Sequence, residues 1–320
     1  MQQGNKILRD WDKVVRFPAG QVGADARYQA ETEVRDYLAR VPSLDSLARH
    51  KPHLLLPSLY RLSQSEEILK GVRDFLGTDA FFLWYSVLFV KQKQTEGYIP
   101  WHYDDYFWGL QAENGCTAWV ALNDVTIENG AMEFANEEPD AASMFVQYQQ
   151  QNMLVRGNNS TFEPAPDEEI KIIALKAGEY SVHSNKAWHR SGPNRSAQDR
   201  LAVAFRFVTA DAQPETFRWI KRGGVPRAGR ALPPAFYAEQ CPPRALLPGQ
   251  SWQQKKSMLI AAFLTCFGDT HRTFWQKLGD FLAMSKATRS YKLLGRLVEI
   301  MGGRGVASGA NRPVKDVNSG

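Results

Sequence analysis

Trp101-His102-Tyr103-Asp104 and, farther along, Trp188-His189-Arg190-Ser191-Gly192-Pro193-Asn194-Arg195-Ser196 with Arg200 hold the residues of this chain best suited to metal chemistry. In a β-strand, residues two apart point to one face. His102 and Asp104 would therefore project side by side, an imidazole next to a carboxylate, and His189 would add a second imidazole. Two imidazoles and one carboxylate on one face of an ion leave neighbouring positions open. That set suits non-haem Fe(II) with a chelating co-substrate and O₂. Arg200 would place a flat, permanently charged guanidinium behind the site, matched to a carboxylate. His-x-Asp alone is a weak signal and also fits a solvated pair at a strand end. The weight comes from the combination: Ser191 and Asn194 lie between His189 and Arg200, and Asp104 is followed by an apolar strand and an Asn129-Gly130 turn.

Strands must hold these side chains. Residues 81–90, 117–122, 132–135, 170–174, 180–183 and 201–208 read as strands, separated by Pro, Gly and the pairs Asn114-Gly115 and Asn129-Gly130. Short strands with such turn signals favour a jelly roll or barrel over a parallel α/β sheet. Arg200, Ala202 and Ala204 share a face, and the two alanines leave room for a small diacid beside an inward Arg. Leu201, Val203, Phe205 and Phe207 would pack outward against helices.

The flanks read differently. Trp11, Val14, Val15 and Phe17 suggest a short strand, residues 25–40 an amphipathic helix ending before Pro42, and residues 43–49 a short capped helix. Residues 52–62 read as a loop or short strand, and a helix from Ser65 stops at Gly77. This gives a helical segment over 1–80 packed on a core over 81–210. Residues 136–170 form a long polar insertion, either a lid over the site or a surface excursion. A Pro/Gly/Arg-rich connector over 211–250 leads to helices up to residue 301. Their apolar spacing of three and four suits packing on the core or, alternatively, an oligomer or carrier-protein contact. Residues 302–320 have the composition of a disordered tail.

Pro100-Trp101-His102-Tyr103-Asp104, the run from Thr117 through Asn123-Asp124 to Asn129-Gly130, and His189-Arg190-Ser191-Gly192-Pro193-Asn194-Arg195-Ser196 to Arg200 resemble the phytanoyl-CoA dioxygenase family. The resemblance is good over residues 80–210, looser before them and slight over the last hundred. It implies a mostly β protein with flanking helices, its core a double-stranded β-helix (jelly-roll, cupin-like). It also implies an Fe(II)- and 2-oxoglutarate-dependent oxygenase that uses O₂. By the family's spacing, the ligands would be His102, Asp104 and His189. Arg200 would meet the co-substrate, with the Ser191 hydroxyl and Lys91 nearby. Trp119 would contact the co-substrate or be core, and Tyr103 points the other way along the strand but could reach back. His183 is the rival to His189; otherwise it is a hydrogen-bonding neighbour, a pocket wall or core. Related halogenases replace the carboxylate with Gly or Ala, so Asp104 argues for hydroxylation or a kindred oxidation. Trp101, Asp105, Tyr106, Trp108 and Trp188 would rim a substrate pocket.

Bulk properties narrow the field. In 320 residues no apolar run reaches membrane-spanning length, and the N-terminus lacks the apolar stretch of a secretory signal. Cys116, Cys241 and Cys266 are widely spaced and odd in number, which gives neither a disulfide framework nor a zinc motif and fits a reducing cytoplasm. The net charge of +5 fits a mildly basic surface, with an anionic partner as the alternative. No nucleic-acid-reading module is visible. The expected function is oxidation of a small organic molecule in specialised metabolism. An acyl-CoA or acyl-carrier-linked hydroxylase and a non-catalytic cupin-like binding protein are the alternatives, with the oligomeric state open.

Overall fold

The computed structural model describes residues 10–40, 52–54, 56–108, 110–111, 115–138 and 168–209, short pieces between 144 and 166, and the strand fragments Gln213–Pro214 and Val225–Pro226. Strands β1 (Val15–Gln21), β2 (Phe81–Lys91), β3 (Ile99–His102), β4 (Gly115–Ala121), β5 (Met132–Ala135), β6 (Lys171–Ile173), β7 (Glu179–Ser184), β8 (Trp188–Ser191) and β9 (Arg200–Thr209) build two antiparallel sheets. The larger runs β1-β7-β4-β9-β2 and ends on the Val225–Pro226 fragment; the smaller runs β3-β8-β5-β6. Side chains of both sheets meet between them, so the architecture is mostly β and jelly-roll-like. The helices expected over 43–49 and 251–301 and the tail lie outside the described residues.

β9 explains how this body is organised. Leu201, Val203, Phe205 and Phe207 share a core with Val34 and Tyr37 of helix α2 (Ala24–Arg40), Leu59 and Leu62 of α3 (Pro57–Ser63) and Ile68, Leu69 and Val72 of α4 (Glu66–Leu76). Ala202 and Ala204 face the other way, into a cluster with Trp119, Met132 and Phe134. Strand alternation thus assigns one face of β9 to the helices and the other to the space between the sheets. Each large outward side chain buried there stabilises the fold by about 1.5–3 kcal/mol.

α4 starts where Ser65 accepts from the Ile68 amide and ends at Gly77, whose φ of 68° lets its amide reach the Arg73 carbonyl. α2 buries Ala30, Val34 and Tyr37, three and four residues apart, while Tyr28 stays exposed. Two flank expectations are corrected. Trp11–Val14 is a helical turn, α1, capped by Asp10, and the strand starts only at Val15. Pro52–Leu54 form a tight helical turn and Pro57–Ser63 form α3, because Pro57 at the first helical turn is preset for a helix and Leu59 and Leu62 then face the core. Within the polar insertion, Met144–Val146 pairs with Asn158–Ser160, and Phe162 stacks on Trp188 at 4.3 Å.

Candidate metal centre

β3 and β8 pair so that His102 and His189 stand opposite each other, their rings 4.0 Å apart. Nδ1 of His102 lies 2.9 Å from the Pro100 carbonyl, and Nδ1 of His189 lies 2.8 Å from the Ala187 carbonyl. A carbonyl only accepts, so Nδ1 carries the proton in both rings and the lone pair of each ring sits on Nε2. Burial, then the neighbouring His189, lowers the pKa of His102 to about 3, and burial also lowers that of His189. Both rings are therefore neutral at neutral pH, the form that ligates a metal.

Asp104 reaches the same place by another route than expected. β3 ends at His102, and Asp104 sits in the turn before the short helix α5 (Asp105–Trp108). The Asp105 amide donates to the Asn185 carbonyl and Asn185 Nδ2 donates to Asp105 Oδ1, which draws the chain off the strand. Asp104 then meets the larger sheet. Arg206 donates to Oδ1 at 2.6 Å and Thr117 Oγ1 donates to Oδ2 at 2.8 Å. Burial pushes this carboxyl up, but Arg206 and the surrounding imidazoles outweigh it and hold the pKa well below the usual carboxylate range. One donor atom from each of His102, Asp104 and His189 lies within 4.8 Å of the others, all three buried.

These residues line an inner cavity with Phe89, Trp119, Met132, His183, Ser191 and Arg200. It is narrow, about 20 Å³, so it admits an ion as it stands and a five-carbon diacid only after flexible neighbours such as Met132 turn aside. Arg200 is 1 % exposed and still a cation, burial lowering its pKa only to about 9. It donates to the Gly130 carbonyl and lies 5.3 Å from the Trp119 ring centre. Its Nε has no partner, and no carboxylate pairs with it among the described residues. A buried cation without a counter-ion is strongly unfavourable. Together with Ser191 Oγ, also buried and without a partner among the described residues, it fits the far carboxylate of a small diacid such as 2-oxoglutarate.

Lys91 departs from expectation. It is fully buried opposite Arg200, its Nζ donating to the carbonyls of Ser191, at 3.0 Å, and Gly192. Burial first, then Arg200, lowers its pKa to about 6, so it is a neutral amine at neutral pH. It buttresses the 191–192 turn and does not line the inner cavity. Tyr103 does not line the inner cavity and packs edge-on against Trp188 at 5.1 Å. His183 does line the cavity, its Nε2 3.9 Å from Asp104 Oδ2 and both ring nitrogens without a hydrogen bond among the described residues.

A second, outer cavity of about 440 Å³ adjoins the first through Ile99, Arg190 and Ser191. Trp101 lines it, but Trp188, Tyr106 and Asp105 do not: Trp188 is stacked under Phe162, Tyr106 packs on Tyr103, and Asp105 is tied to Asn185. The Trp108 side chain lies outside the described residues. Sequence reasoning missed Arg206, Thr117, Glu133 and Phe162. Only Arg206 carried a signal, since it continues the alternation Arg200, Ala202, Ala204.

A sequence model described as Phytanoyl-CoA dioxygenase (PhyH) matches residues 13–202. The chain is 25% identical over 218 residues to a probable alpha-ketoglutarate-dependent hypophosphite dioxygenase of Stutzerimonas stutzeri, covering 65% of this chain and 71% of that one. It is 26% identical over 190 residues to a phytanoyl-CoA dioxygenase of Arabidopsis thaliana, covering 58% and 64%. Among solved structures, the non-haem monooxygenase ThoJ in a nickel complex superposes with a TM-score of 0.63 at 22% identity, over 81% of this chain and 96% of that one. The alpha-ketoglutarate-dependent epimerase SnoN from nogalamycin biosynthesis gives 0.51 at 20%, over 66% and 85%. These two likenesses concern the fold. The matched span is more than half the chain and carries His102, Asp104, His189 and Arg200, so the chain belongs to the phytanoyl-CoA dioxygenase family of non-haem iron, 2-oxoglutarate-dependent oxygenases.

Proposed function

We propose that the chain hydroxylates, or otherwise oxidises, a small organic molecule of specialised metabolism. In this reading His102, Asp104 and His189 hold Fe(II), and Arg200 with Ser191 holds the far carboxylate of 2-oxoglutarate over Trp119. The observation that carries it is the buried set of two imidazoles and one clamped carboxylate beside a buried guanidinium with no counter-ion among the described residues. Bound iron with 2-oxoglutarate and O₂ supplies the oxidising power to remove hydrogen from an unactivated carbon.

The protein's own part is positional. Pro100 and Ala187 fix the tautomers of the two histidines, while Arg206 and Thr117 fix Asp104 as a carboxylate. A carboxylate here leaves no vacancy for a halide ligand, which favours hydroxylation or a related oxidation. Trp119, Phe89 and Met132 give the inner cavity apolar walls. The described lining of the outer cavity has two carboxylates against one guanidinium, which disfavours the phosphates of an acyl-CoA substrate. A non-catalytic binding protein could use Arg200 to hold a diacid but would have no need of His102, Asp104 and His189 converging beside it.

The test is oxygen-dependent formation of succinate from 2-oxoglutarate by the Fe(II)-loaded protein. Slow uncoupled turnover is expected, and none in His102→Ala. Equal turnover in both proteins, or none with iron bound, would favour the binding-protein reading.

A further inference from the structure

The outer cavity has a chemistry of its own. Tyr98, Trp101 and Phe162 give it aromatic walls, the last two edge-to-face at 5.5 Å. Its charged lining residues are Glu133, Glu163 and Arg190. Arg190 is already engaged: its Nε and one terminal nitrogen both donate to Oε2 of Glu133, at 3.0 and 2.7 Å, and its guanidinium lies 4.9 Å from the Trp101 ring centre. Glu133 Oε1 stays open as an acceptor, and Glu163 is exposed with no hydrogen-bond or ion-pair partner among the described residues. The space therefore offers unmet carboxylate oxygens beside aromatic surface, and no free cation among its described residues.

We infer that the outer cavity binds a small molecule carrying a protonated amine next to a ring or other apolar face. Aromatic faces and carboxylates together select an ammonium group, through ring quadrupoles and charge-assisted hydrogen bonds. A carboxylate or phosphate in the same place would meet the charge of Glu163, which no described cation answers, Arg190 being already paired with Glu133. The volume of about 440 Å³ lies in the range of small-molecule pockets. The inference rests on the oxygenase reading in one respect, that a molecule held here is the oxygenase's substrate, since the two cavities share Ile99, Arg190 and Ser191 in their linings.

The experiment uses the full-length, metal-free protein and three matched probes, phenethylamine, 2-phenylethanol and phenylacetate, with affinities from ligand-observed NMR titration. Phenethylamine is expected to bind about five- to tenfold more tightly than the alcohol, with phenylacetate weakest and the advantage shrinking as ionic strength rises. Glu163→Gln, an exposed position, should bring the amine close to the alcohol. An amine no tighter than the alcohol, a tighter phenylacetate, an unchanged amine affinity in Glu163→Gln, or no binding by any probe would each overturn the inference. Iron and 2-oxoglutarate are absent from this titration, so its failure leaves the oxygenase reading standing, and a failed succinate test leaves the titration interpretable.

Discussion

Arg206 donates to Asp104 Oδ1 at 2.6 Å, with the Asp104 side chain 2 % and the Arg206 side chain 15 % exposed. The guanidinium faces the oxygen opposite the one bonded by Thr117, so the carboxylate plane is held at both ends. Partners of this kind orient a ligand before the ion arrives. Arg206→Gln should weaken metal affinity about tenfold or more, measured by competition against a coloured chelator under nitrogen. Arg206→Lys should recover part of that loss and keep a native-like metal spectrum. Unchanged affinity in Arg206→Gln would remove this role.

His189 and His183 sit 5.0 Å apart on adjacent walls of the inner cavity, and only His189 joins the set of three donors. His189→Ala should lower iron affinity about a hundredfold, beyond the effect of losing an orienting partner. His183→Ala should stay within about threefold of the parent, well short of that partner effect. Equilibrium dialysis against Fe(II) in the absence of air decides between them, and the reverse order would exchange the roles of the two rings.

Sequence alternation carried much of this site and failed where the chain left regular strand. It placed Arg200, Ala202 and Ala204 inward, and the same parity runs on to Arg206, beyond residue 202 where the family match ends. It put Asp104 on a strand, whereas the Asn185 hydrogen bonds pull that residue into a turn and the ligands converge by a different path. Lys91 at a strand end looked like a cation near the co-substrate. Only the fold shows that the Ser191 and Gly192 carbonyls close over it. The helices of residues 52–62 were hidden because a run of leucines between two prolines has no decisive period.

Lys91 gives the fold a pH signature. Its pKa falls from 10.5 unfolded to about 6 folded, through burial and then Arg200. Folding therefore releases a proton at pH values between those two. This destabilising contribution is full below pH 6 and fades as pH rises towards 10.5. Lys91→Met loses the two carbonyl bonds but also loses that dependence. Urea unfolding at three pH values between 7 and 9 should show the parent gaining on the variant by up to about 1.4 kcal/mol per pH unit. Parallel profiles would mean that the buried amine stays charged.

Gly130 is where two loops touch. Its φ is +83°, and a Cβ there would lie 2.5 Å from the Gly192 carbonyl oxygen, 3.0 Å from that of Pro193 and 3.1 Å from Lys91 Nζ. Gly130→Ala should destabilise the protein by about 2 kcal/mol or more. Because the Gly130 carbonyl also accepts from Arg200, the affinity for 2-oxoglutarate should fall with it. Denaturant unfolding combined with a 2-oxoglutarate titration checks both effects.

The most direct measurement is a crystal grown without air with Mn(II), as a redox-silent substitute for Fe(II), and 2-oxoglutarate, with the metal located by its anomalous scattering. The account predicts one ion bound by Nε2 of His102, Nε2 of His189 and a carboxylate oxygen of Asp104, and a diacid whose far end meets Arg200. An ion bound without one of those three side chains, or a diacid lying away from Arg200, would contradict it.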